Sequence, residues 1–250
     1  MQIEISSEYL WTKDFVLALP QSFDKDGVVL EDGRNTVKKF EWNGQLVVVK
    51  RFKRPYLYQR VVYTFFRSTK AKRAYWYAKI YRDAGIATPK EIAYIEILTN
   101  GLFTEGYFVS EYSSGTSVRA QLSGEKFSRP FADALAKCIA RMHQYHILHG
   151  DLNTSNILYH IDCQGDIQFE FIDINRSRFP TAPDMRVCLD NLKRLTYQRD
   201  VLRYIVGMYA KYRQWEESYC VGFVMKRLEE FENRNARHSK IKKMFGLKKD

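Results

Sequence analysis

Two polar segments contain residue types that could transfer a phosphoryl group. The segment HGDLNTSNIL at 149–158 holds the carboxylate of Asp151 and the carboxamide of Asn156, five positions apart, before an apolar strand. Seventeen residues after Asn156, a second carboxylate, Asp173, ends the next apolar strand. Phosphoryl transfer needs a carboxylate to orient or deprotonate the acceptor, oxygen ligands for Mg²⁺, and a cation on the nucleotide phosphates. These three residues meet the first two needs, and Lys50 supplies the cation.

The N-terminal half predicts the strands that present Lys50. Residues 28–52 form short apolar, β-branched runs, and the turn Asn43-Gly44 between two of them is a strong hairpin signal. Residues 60–83 contain no Gly or Pro and carry apolar side chains at helical spacing, which predicts one helix. Two more strands follow this helix, so the first half is β-rich.

The C-terminal half predicts helices on either side of a strand pair. Apolar residues repeat with helical period at 131–143, 190–214 and 219–231. Between the first two helices, residues 156–174 predict two strands around a turn at 162–166.

The change from β-rich to helical sequence after the first half predicts two domains. The polar link SSGTS separates the β-rich part from the helical part. We therefore expect an α+β fold with an N-terminal β-rich, nucleotide-binding lobe at 1–112. A C-terminal helical lobe at 113–250 would hold the catalytic loop, the metal site and a basic tail.

The two polar segments, taken together, resemble the catalytic and metal-binding loops of the protein-kinase-like superfamily. HGDLNTSNIL followed by FIDINRSRF, with the stretch RDAGIATP, is most similar to the bacterial lipopolysaccharide core kinases, over roughly residues 36–179. Those enzymes phosphorylate Kdo (3-deoxy-D-manno-octulosonic acid) or heptose. The resemblance implies a bilobal protein-kinase-like fold with the nucleotide between the lobes. It also implies ATP and Mg²⁺ as cofactors.

The resemblance assigns a role to each residue of the polar segments. Asp151 would be the catalytic base, and Asn156 and Asp173 would be the Mg²⁺ ligands. Lys50 would contact the α and β phosphates and so act in both catalysis and nucleotide binding. Gly150 stands where protein kinases usually carry an arginine, which argues against regulation through a phosphorylated activation loop.

The nucleotide pocket implied by the resemblance is only partly matched. The strand FVSEYSS would form the hinge, where the backbone of Glu111 and Ser113 would meet adenine. The glycine-rich loop of protein kinases is absent, and only the turn Asp32-Gly33-Arg34-Asn35 stands at the corresponding place.

The partner of Lys50 is left open by the sequence. Kinases usually hold this lysine with a glutamate from the following helix, yet the predicted helix contains no glutamate. Either Asp173 and the nucleotide hold Lys50, or Glu91 or Glu96 approaches from elsewhere, or the activity is impaired.

The charge distribution indicates an anionic partner. The net charge is +11 and the sequence pI about 9.4. Eleven basic and no acidic residues lie at 42–82, and seven basic and no acidic residues lie at 233–249. In the second patch Ile241, Met244 and Phe245 have the spacing of a basic amphipathic turn, although a solvated tail is an equal alternative. We expect a lipid-linked lipopolysaccharide core sugar as acceptor, an anionic membrane surface as a peripheral partner, and no nucleic acid.

The sequence also predicts the compartment. Four cysteines without a CxxC pair favour a reducing environment, and the N-terminus has no basic region followed by an apolar run. We therefore expect a cytoplasmic protein, peripheral on the cytoplasmic face of the bacterial inner membrane.

Two other functions fit parts of the same pattern. HGDL followed by ID is shared with soluble small-molecule phosphotransferases of the aminoglycoside and choline kinase type. A pseudokinase scaffold at the membrane surface would fit the missing helix glutamate. The NRxRF continuation and the basic patches favour the lipopolysaccharide core kinase.

Overall fold

A sheet of six strands, interleaved in sequence with three helices, forms the N-terminal part of the chain. The computed structural model describes residues 1–123 and 127–244. The elements of this part are β1 (Gln2–Ile5), α1 (Lys13–Ser22), β2 (Val28–Asp32), β3 (Thr36–Trp42), β4 (Gln45–Phe52), α2 (Leu57–Phe65), α3 (Lys70–Asp83), β5 (Glu91–Thr99) and β6 (Leu102–Glu111). The later elements are β7 (Thr116–Ser117), α4 (Arg129–Gln144), β8 (Ile157–Ile161), β9 (Ile167–Phe171), α5 (Met185–Leu192), α6 (Arg199–Arg213) and α7 (Glu217–Met244).

These elements form two compact units. The first unit consists of Met1–Thr116 together with the distant segment Glu170–Ser177. The second unit consists of Ser117–Phe169 and the chain from Arg178 onward. The domain boundary after residue 112 stays a prediction.

The sheet of the first unit is antiparallel, with the order β1-β5-β6-β4-β3-β2. Asn43 and Gly44 both have positive φ, 50° and 75°, which is the two-residue turn that matches the twist of paired strands. The predicted hairpin is therefore confirmed. In β4, Lys50 lies opposite Val37 of β3 and Phe108 of β6, so its backbone is fixed from both sides.

Helices cover both faces of this sheet. On one face, Phe15 and Phe23, from α1 and the turn after it, pack with Phe40 and Val49 of the sheet. On the other face, α3 packs through small residues and Tyr75. Each large side chain buried in this way contributes about 1.5–3 kcal/mol to stability.

Gly106 lets α3 approach the sheet closely. A Cβ atom at this position would lie 3.2 Å from the Cβ of Ala71 and 3.1 Å from the ring of Phe103. A larger residue would push α3 outward, which would move the loop that α3 supports near the site.

The single helix predicted at 60–83 is wrong, because two helices occupy this stretch. α2 ends at Phe65 and α3 begins at Lys70. Thr69 causes the break: its hydroxyl oxygen accepts a hydrogen bond from the Lys72 amide at 3.2 Å, and the same hydroxyl donates to Glu96. A threonine that caps the second helix in this way must lie outside both helices.

The helix predicted at 190–214 is also divided. α5 ends at Leu192 and α6 begins at Arg199. The strands predicted around the turn at 162–166 are present as β8 and β9. They form a three-stranded sheet with β7.

The core of the second unit lies where α4 packs against α6. Phe131, Leu135, Ile139 and Met142 recur along the buried side of α4. Among the described residues, none of the helices combines the length and the apolar character that crossing a membrane would require. The basic amphipathic turn predicted at 241–245 lies outside the residues whose side chains are described.

Candidate active site

Lys50 and Asp173 are in direct contact within the first unit. The Lys50 ammonium lies 2.6 Å from the Asp173 Oδ1 atom, and both side chains are mostly shielded from solvent. The sequence left open what holds Lys50, and in the structure a carboxylate that follows β9 does so. A cation fixed next to a carboxylate is the arrangement that binds a phosphate–metal complex.

The backbone at Asp173 is held in an unusual conformation. Its φ of 57° lies in the left-handed region, which aspartate and asparagine tolerate better than most residues. Asn175 donates from Nδ2 to Asp173 Oδ1 at 2.6 Å, and Arg73 of α3 donates to the Asn175 carbonyl at 3.0 Å. Helix α3 therefore fixes the loop that presents the carboxylate.

The two glutamates considered as partners of Lys50 are used elsewhere. Glu91 is buried and accepts two hydrogen bonds from the Arg82 guanidinium, at 2.5 and 3.0 Å. Glu96 is also buried and accepts the hydroxyl proton of Thr69 at 2.5 Å. Both contacts hold α3 to the sheet.

Further cations act electrostatically on Lys70, as Asp173 does. The pKa of Lys70 is lowered to about 8 by burial and by repulsion from Arg34, Arg176 and Arg73, with Asp173 acting in the opposite direction. Lys70 precedes Arg73 by three positions on α3, so both face the loop that holds Asp173. We call Lys50, Lys70, Arg34 and Arg176 the cationic group.

Sequence reasoning missed Lys70 and Arg176. For Lys70 the available signal was the acid-free stretch, since cations occupy the first turns of α3, in the helix from which a glutamate was expected. For Arg176 it was the segment FIDINRSRF, in which this arginine follows Asp173 by three positions. Arg34 comes from the turn at the position of the missing glycine-rich loop. Cations thus stand at both places where the sequence lacks the feature usual in kinases.

The predicted hinge residues lie at the end of β6. The Glu111 amide donates to the Lys90 carbonyl at 2.9 Å, and the Ser110 hydroxyl donates to the Glu111 carbonyl at 3.2 Å. The Ser113 hydroxyl oxygen accepts from the Gly115 amide at 3.1 Å. Tyr9 also donates its hydroxyl proton to the Glu111 carboxylate at 2.5 Å, a contact that no local sequence pattern predicts.

Asp151 lies in a tightly bonded loop of the second unit. The Asp151 amide donates to Nδ1 of the buried His149, and the side chains of Asn153 and Asn156 both donate to the Asp151 carbonyl, at 3.0 and 2.8 Å. The Asp151 carboxylate is ion-paired with Arg194 at 3.0 Å. The bonds to the main chain hold the loop independently of the carboxylate.

Asn156 is oriented so that it could bind a cation. Its Nδ2 atom is used in the bond to Asp151, which turns the carboxamide oxygen the other way. Carboxylate and amide oxygens are the protein ligands that Mg²⁺ accepts. Asp173 offers a carboxylate in the first unit and Asn156 an amide oxygen in the second, and the chemistry of each donor fits Mg²⁺. Within 1–123 and 127–244, no group of three or more His, Cys, Asp and Glu residues could hold a metal by itself.

A buried chain of hydrogen bonds supports the loop that contains Asp151. The Asn191 amide donates to the His149 carbonyl at 2.6 Å, and its oxygen accepts from His143 Nε2 at 3.1 Å. His143 Nδ1 must therefore accept from the Tyr209 hydroxyl, which in turn accepts from Arg213. Burial lowers the pKa of His143 to about 4, so the imidazole stays neutral and the direction of this chain is fixed.

A basic cleft of about 590 Å³ lies in the second unit. Its cations are Arg178, Arg186, Lys226 and Arg227, and its aromatic residues are Tyr219 and Phe223.

The basic cleft is joined to the catalytic loop. Arg178 exchanges two backbone hydrogen bonds with Leu148, both at 2.9 Å, three residues before Asp151. Arg227 is ion-paired with Asp190 and Glu230. Within the described part of the chain, Arg178 and Lys226 have no carboxylate partner.

Two solved structures have the same fold as this chain. The structure of WaaP in complex with acyl carrier protein matches 92% of this chain and 99% of that chain, with a TM-score of 0.64 and 16% identity. Amicoumacin kinase hAmiN, in complex with AMP-PNP, Ca²⁺ and Ami, matches 84% of this chain and 78% of that chain, with a TM-score of 0.54 and 16% identity. The α+β, protein-kinase-like fold is therefore confirmed.

The sequence comparisons define the family. The model of the lipopolysaccharide kinase (Kdo/WaaP) family matches residues 31–218, and the chain belongs to this family. A 3-deoxy-D-manno-octulosonic acid kinase of Vibrio vulnificus (strain YJ016) is 28% identical over 211 residues, which are 80% of this chain and 86% of the relative. The predicted enzyme class, a phosphotransferase acting on a sugar hydroxyl, is confirmed by this membership.

Proposed function

We propose that this protein transfers the γ-phosphoryl group of ATP to a hydroxyl of a lipid-linked sugar, Kdo or heptose, in the lipopolysaccharide inner core. Family membership supports the lipopolysaccharide kinase activity, and the name of the Vibrio vulnificus relative favours Kdo as the first acceptor to test. The structural observation that carries the proposal is the 2.6 Å contact between Lys50 and Asp173.

Each residue of the site has a role in this reaction. Asp151 would accept the proton of the acceptor hydroxyl as that oxygen attacks the γ-phosphorus, and ADP would leave. Asn156 and Asp173 would hold Mg²⁺, which when bound neutralises charge on the phosphate oxygens. The ion pair with Arg194 would orient the Asp151 carboxylate before the acceptor arrives.

The nucleotide would be held by cations rather than by a glycine-rich loop. The cationic group has four positive charges within the first unit, and ATP brings a comparable negative charge. Binding of phosphate would reverse the repulsion that lowers the pKa of Lys70. The backbone of Glu111 and Ser113 would contact adenine.

This assignment predicts a pH dependence of nucleotide affinity. Lys70 is an ammonium ion below its pKa of about 8 and loses its charge above it. We expect ATP affinity to be constant below about pH 7.5 and to fall about tenfold by about pH 9. Isothermal titration calorimetry with a non-hydrolysable ATP analogue would measure this change.

Two variants of Lys70 provide the control. Lys70→Arg keeps its charge at every pH used and should remove the fall in affinity. Lys70→Met should weaken binding about tenfold at neutral pH and also remove the fall. An unchanged pH profile in both variants would show that Lys70 does not contact the nucleotide.

The acceptor would bind in the basic cleft. Arg178 and Lys226 would meet the carboxylate or phosphate groups of an inner-core sugar, and the rings of Tyr219 and Phe223, with centroids 6.2 Å apart, offer a flat surface for a sugar face. The cleft is bonded to the segment that leads into Asp151, which suits an acceptor site.

The cleft predicts a selective effect on acceptor binding. We expect the double variant Arg178→Gln, Lys226→Gln to raise the KM for the sugar acceptor by about 10- to 100-fold, since two charge-assisted contacts are lost. The KM for ATP should change less than about twofold. Steady-state kinetics with each substrate varied in turn would measure both values, and equal effects on the two would contradict this location.

The activity itself is tested with purified acceptors. The protein is incubated with MgATP and either a Kdo-bearing or a heptose-bearing lipid A precursor, and the products are analysed by mass spectrometry. We expect one phosphate on the sugar, and a rate lower by about a thousandfold when Asp151→Asn replaces the parent. Phosphorylation of an aminoglycoside or choline instead, with both lipid-linked acceptors unmodified, would reject the proposed function.

The position of the acceptor implies where the protein works. We propose that it acts in the cytoplasm, as a peripheral protein on the cytoplasmic face of the inner membrane. The basic stretch at 42–82 supports this location, because each basic residue near an anionic surface contributes about 1 kcal/mol to binding.

A further inference from the structure

Helix α2 is amphipathic, but its polar side contacts the protein and its apolar side is exposed. A helix that packs on a core has the opposite orientation. Arg60, Tyr63 and Thr64 face the protein: Arg60 donates to the Phe103 carbonyl at 3.1 Å, and Thr64 accepts from the Phe103 amide at 2.9 Å. The ring of Tyr63 packs edge-on against the ring of Phe103. The polar groups thus attach α2 to β6, and the apolar side faces outward.

The outward side of α2 is a continuous apolar surface. Tyr58, Val61, Val62 and Phe65 follow the i, i+3, i+4, i+7 spacing of one helix face. We call these four residues, with Leu57 and Phe66, the α2 face; Phe65 is 67% exposed and Phe66 is 82% exposed. No residue of α2 is buried. Isolated exposed apolar residues are ordinary, but a contiguous patch of this kind marks an interaction surface.

The charges around the α2 face select the partner. The exposed Lys53 and Arg54 precede the helix, and the exposed Arg67 follows it. These residues belong to the stretch 42–82, which has no acidic residue. A short helix with aromatic and aliphatic residues on one side and flanking cations is the pattern of a helix that lies in the interface of an anionic bilayer.

We propose that the α2 face inserts into the surface of an anionic membrane and holds the enzyme at its lipid-linked acceptor. Phe65 and Phe66 would enter the boundary between headgroups and acyl chains, and Lys53, Arg54 and Arg67 would contact lipid phosphates. This inference rests on the proposed function, and it adds an apolar insertion to the electrostatic attraction that the basic charge provides.

Vesicle co-sedimentation with the full chain tests the insertion. The probes are vesicles of phosphatidylethanolamine with phosphatidylglycerol and, for comparison, vesicles of phosphatidylcholine. We expect the parent to bind the anionic vesicles at about 0.15 M salt, and the double variant Phe65→Ser, Phe66→Ser to bind them 10- to 100-fold more weakly, on the order expected for losing two inserted rings. Because both side chains are exposed, the variant should unfold at the temperature of the parent.

A matched control separates insertion from a general loss of apolar surface. The double variant Tyr145→Ser, Ile161→Ser removes two side chains that are 52% and 63% exposed in the second unit. It should bind anionic vesicles as the parent does. Equal binding by both double variants and the parent would overturn the proposal.

Activity measurements distinguish failure of this inference from failure of the proposed function. With a deacylated, soluble core oligosaccharide as acceptor, the Phe65→Ser, Phe66→Ser variant should have the kcat of the parent. With the lipid-linked acceptor in vesicles, it should lose at least about tenfold in kcat/KM. If the parent phosphorylates both acceptors but does not bind vesicles, only the proposed membrane insertion is rejected. If the parent binds vesicles through the α2 face but phosphorylates neither acceptor, only the proposed kinase function is rejected.

Other occupants of the α2 face would give different results. If a second copy of the chain covered it, the parent would be dimeric in analytical ultracentrifugation and the Phe65→Ser, Phe66→Ser variant monomeric, without vesicle binding by either. If an acidic protein covered it, the parent would not bind protein-free vesicles. Either result would overturn the proposal.

Discussion

Replacing Asp151 with asparagine should lower turnover by about a thousandfold and leave ATP affinity within about twofold of the parent. The carboxamide cannot accept the proton of the acceptor hydroxyl. The loop should keep its shape, because Asn153 and Asn156 donate to the main-chain carbonyl of residue 151 and not to its carboxylate. The loss should therefore fall on kcat.

Phosphorylation rates and calorimetric binding of an ATP analogue measure the two quantities. Asp166→Asn is the matched control, since Asp166 is an exposed aspartate in the turn between β8 and β9 of the same unit. It should retain the parent's rate and affinity. If Asp151→Asn retained more than about a tenth of the parent's turnover, Asp151 would not be the base.

Replacing Asp173 with asparagine should abolish the dependence of nucleotide binding on Mg²⁺. An amide at this position carries no charge for the cation, and it removes the ionic partner of Lys50. Asparagine is the appropriate substitution, because it tolerates the φ of 57° better than alanine does. We expect affinity for MgATP to fall at least about tenfold and turnover to fall at least about a thousandfold.

The measurement compares binding of the nucleotide with Mg²⁺ and with EDTA. In the parent, Mg²⁺ should strengthen binding, and in Asp173→Asn the two affinities should agree. Asp162→Asn, which changes an aspartate of the β8–β9 turn, should behave as the parent does. If Asp173→Asn still bound the nucleotide more tightly with Mg²⁺ than with EDTA, to the same extent as the parent, Asp173 would not be a metal ligand.

Local patterns predicted the parts of the fold that local forces decide. The Asn43-Gly44 turn defines its hairpin because two consecutive positive φ angles allow few other structures. The order of HGDLNTSNIL and FIDINRSRF was sufficient to indicate the kinase class. The helix break before Lys70 was missed because Thr69 has no marked effect until its hydroxyl meets Glu96, which is distant in sequence.

The cations and contacts that complete the site were less accessible to sequence reasoning. Arg176 follows Asp173 by three positions, but Lys70 is more than a hundred positions away in sequence, and only the packing of α3 on the loop after β9 brings it near Asp173. The outward orientation of the α2 face was also hidden. Apolar spacing identifies an amphipathic helix but does not state which side meets the protein.

The first unit is built from two segments that are far apart in sequence, and this affects how the protein can fold during synthesis. Lys50 and Asp173 are 123 positions apart, and the segment Glu170–Ser177 belongs to a unit whose six-stranded sheet is made much earlier. A growing chain can form the β3–β4 hairpin as soon as it leaves the ribosome, whereas closing such a long loop is slow. Until residue 177 has emerged, the first unit lacks its final segment, and the ammonium of Lys50 lacks its carboxylate partner.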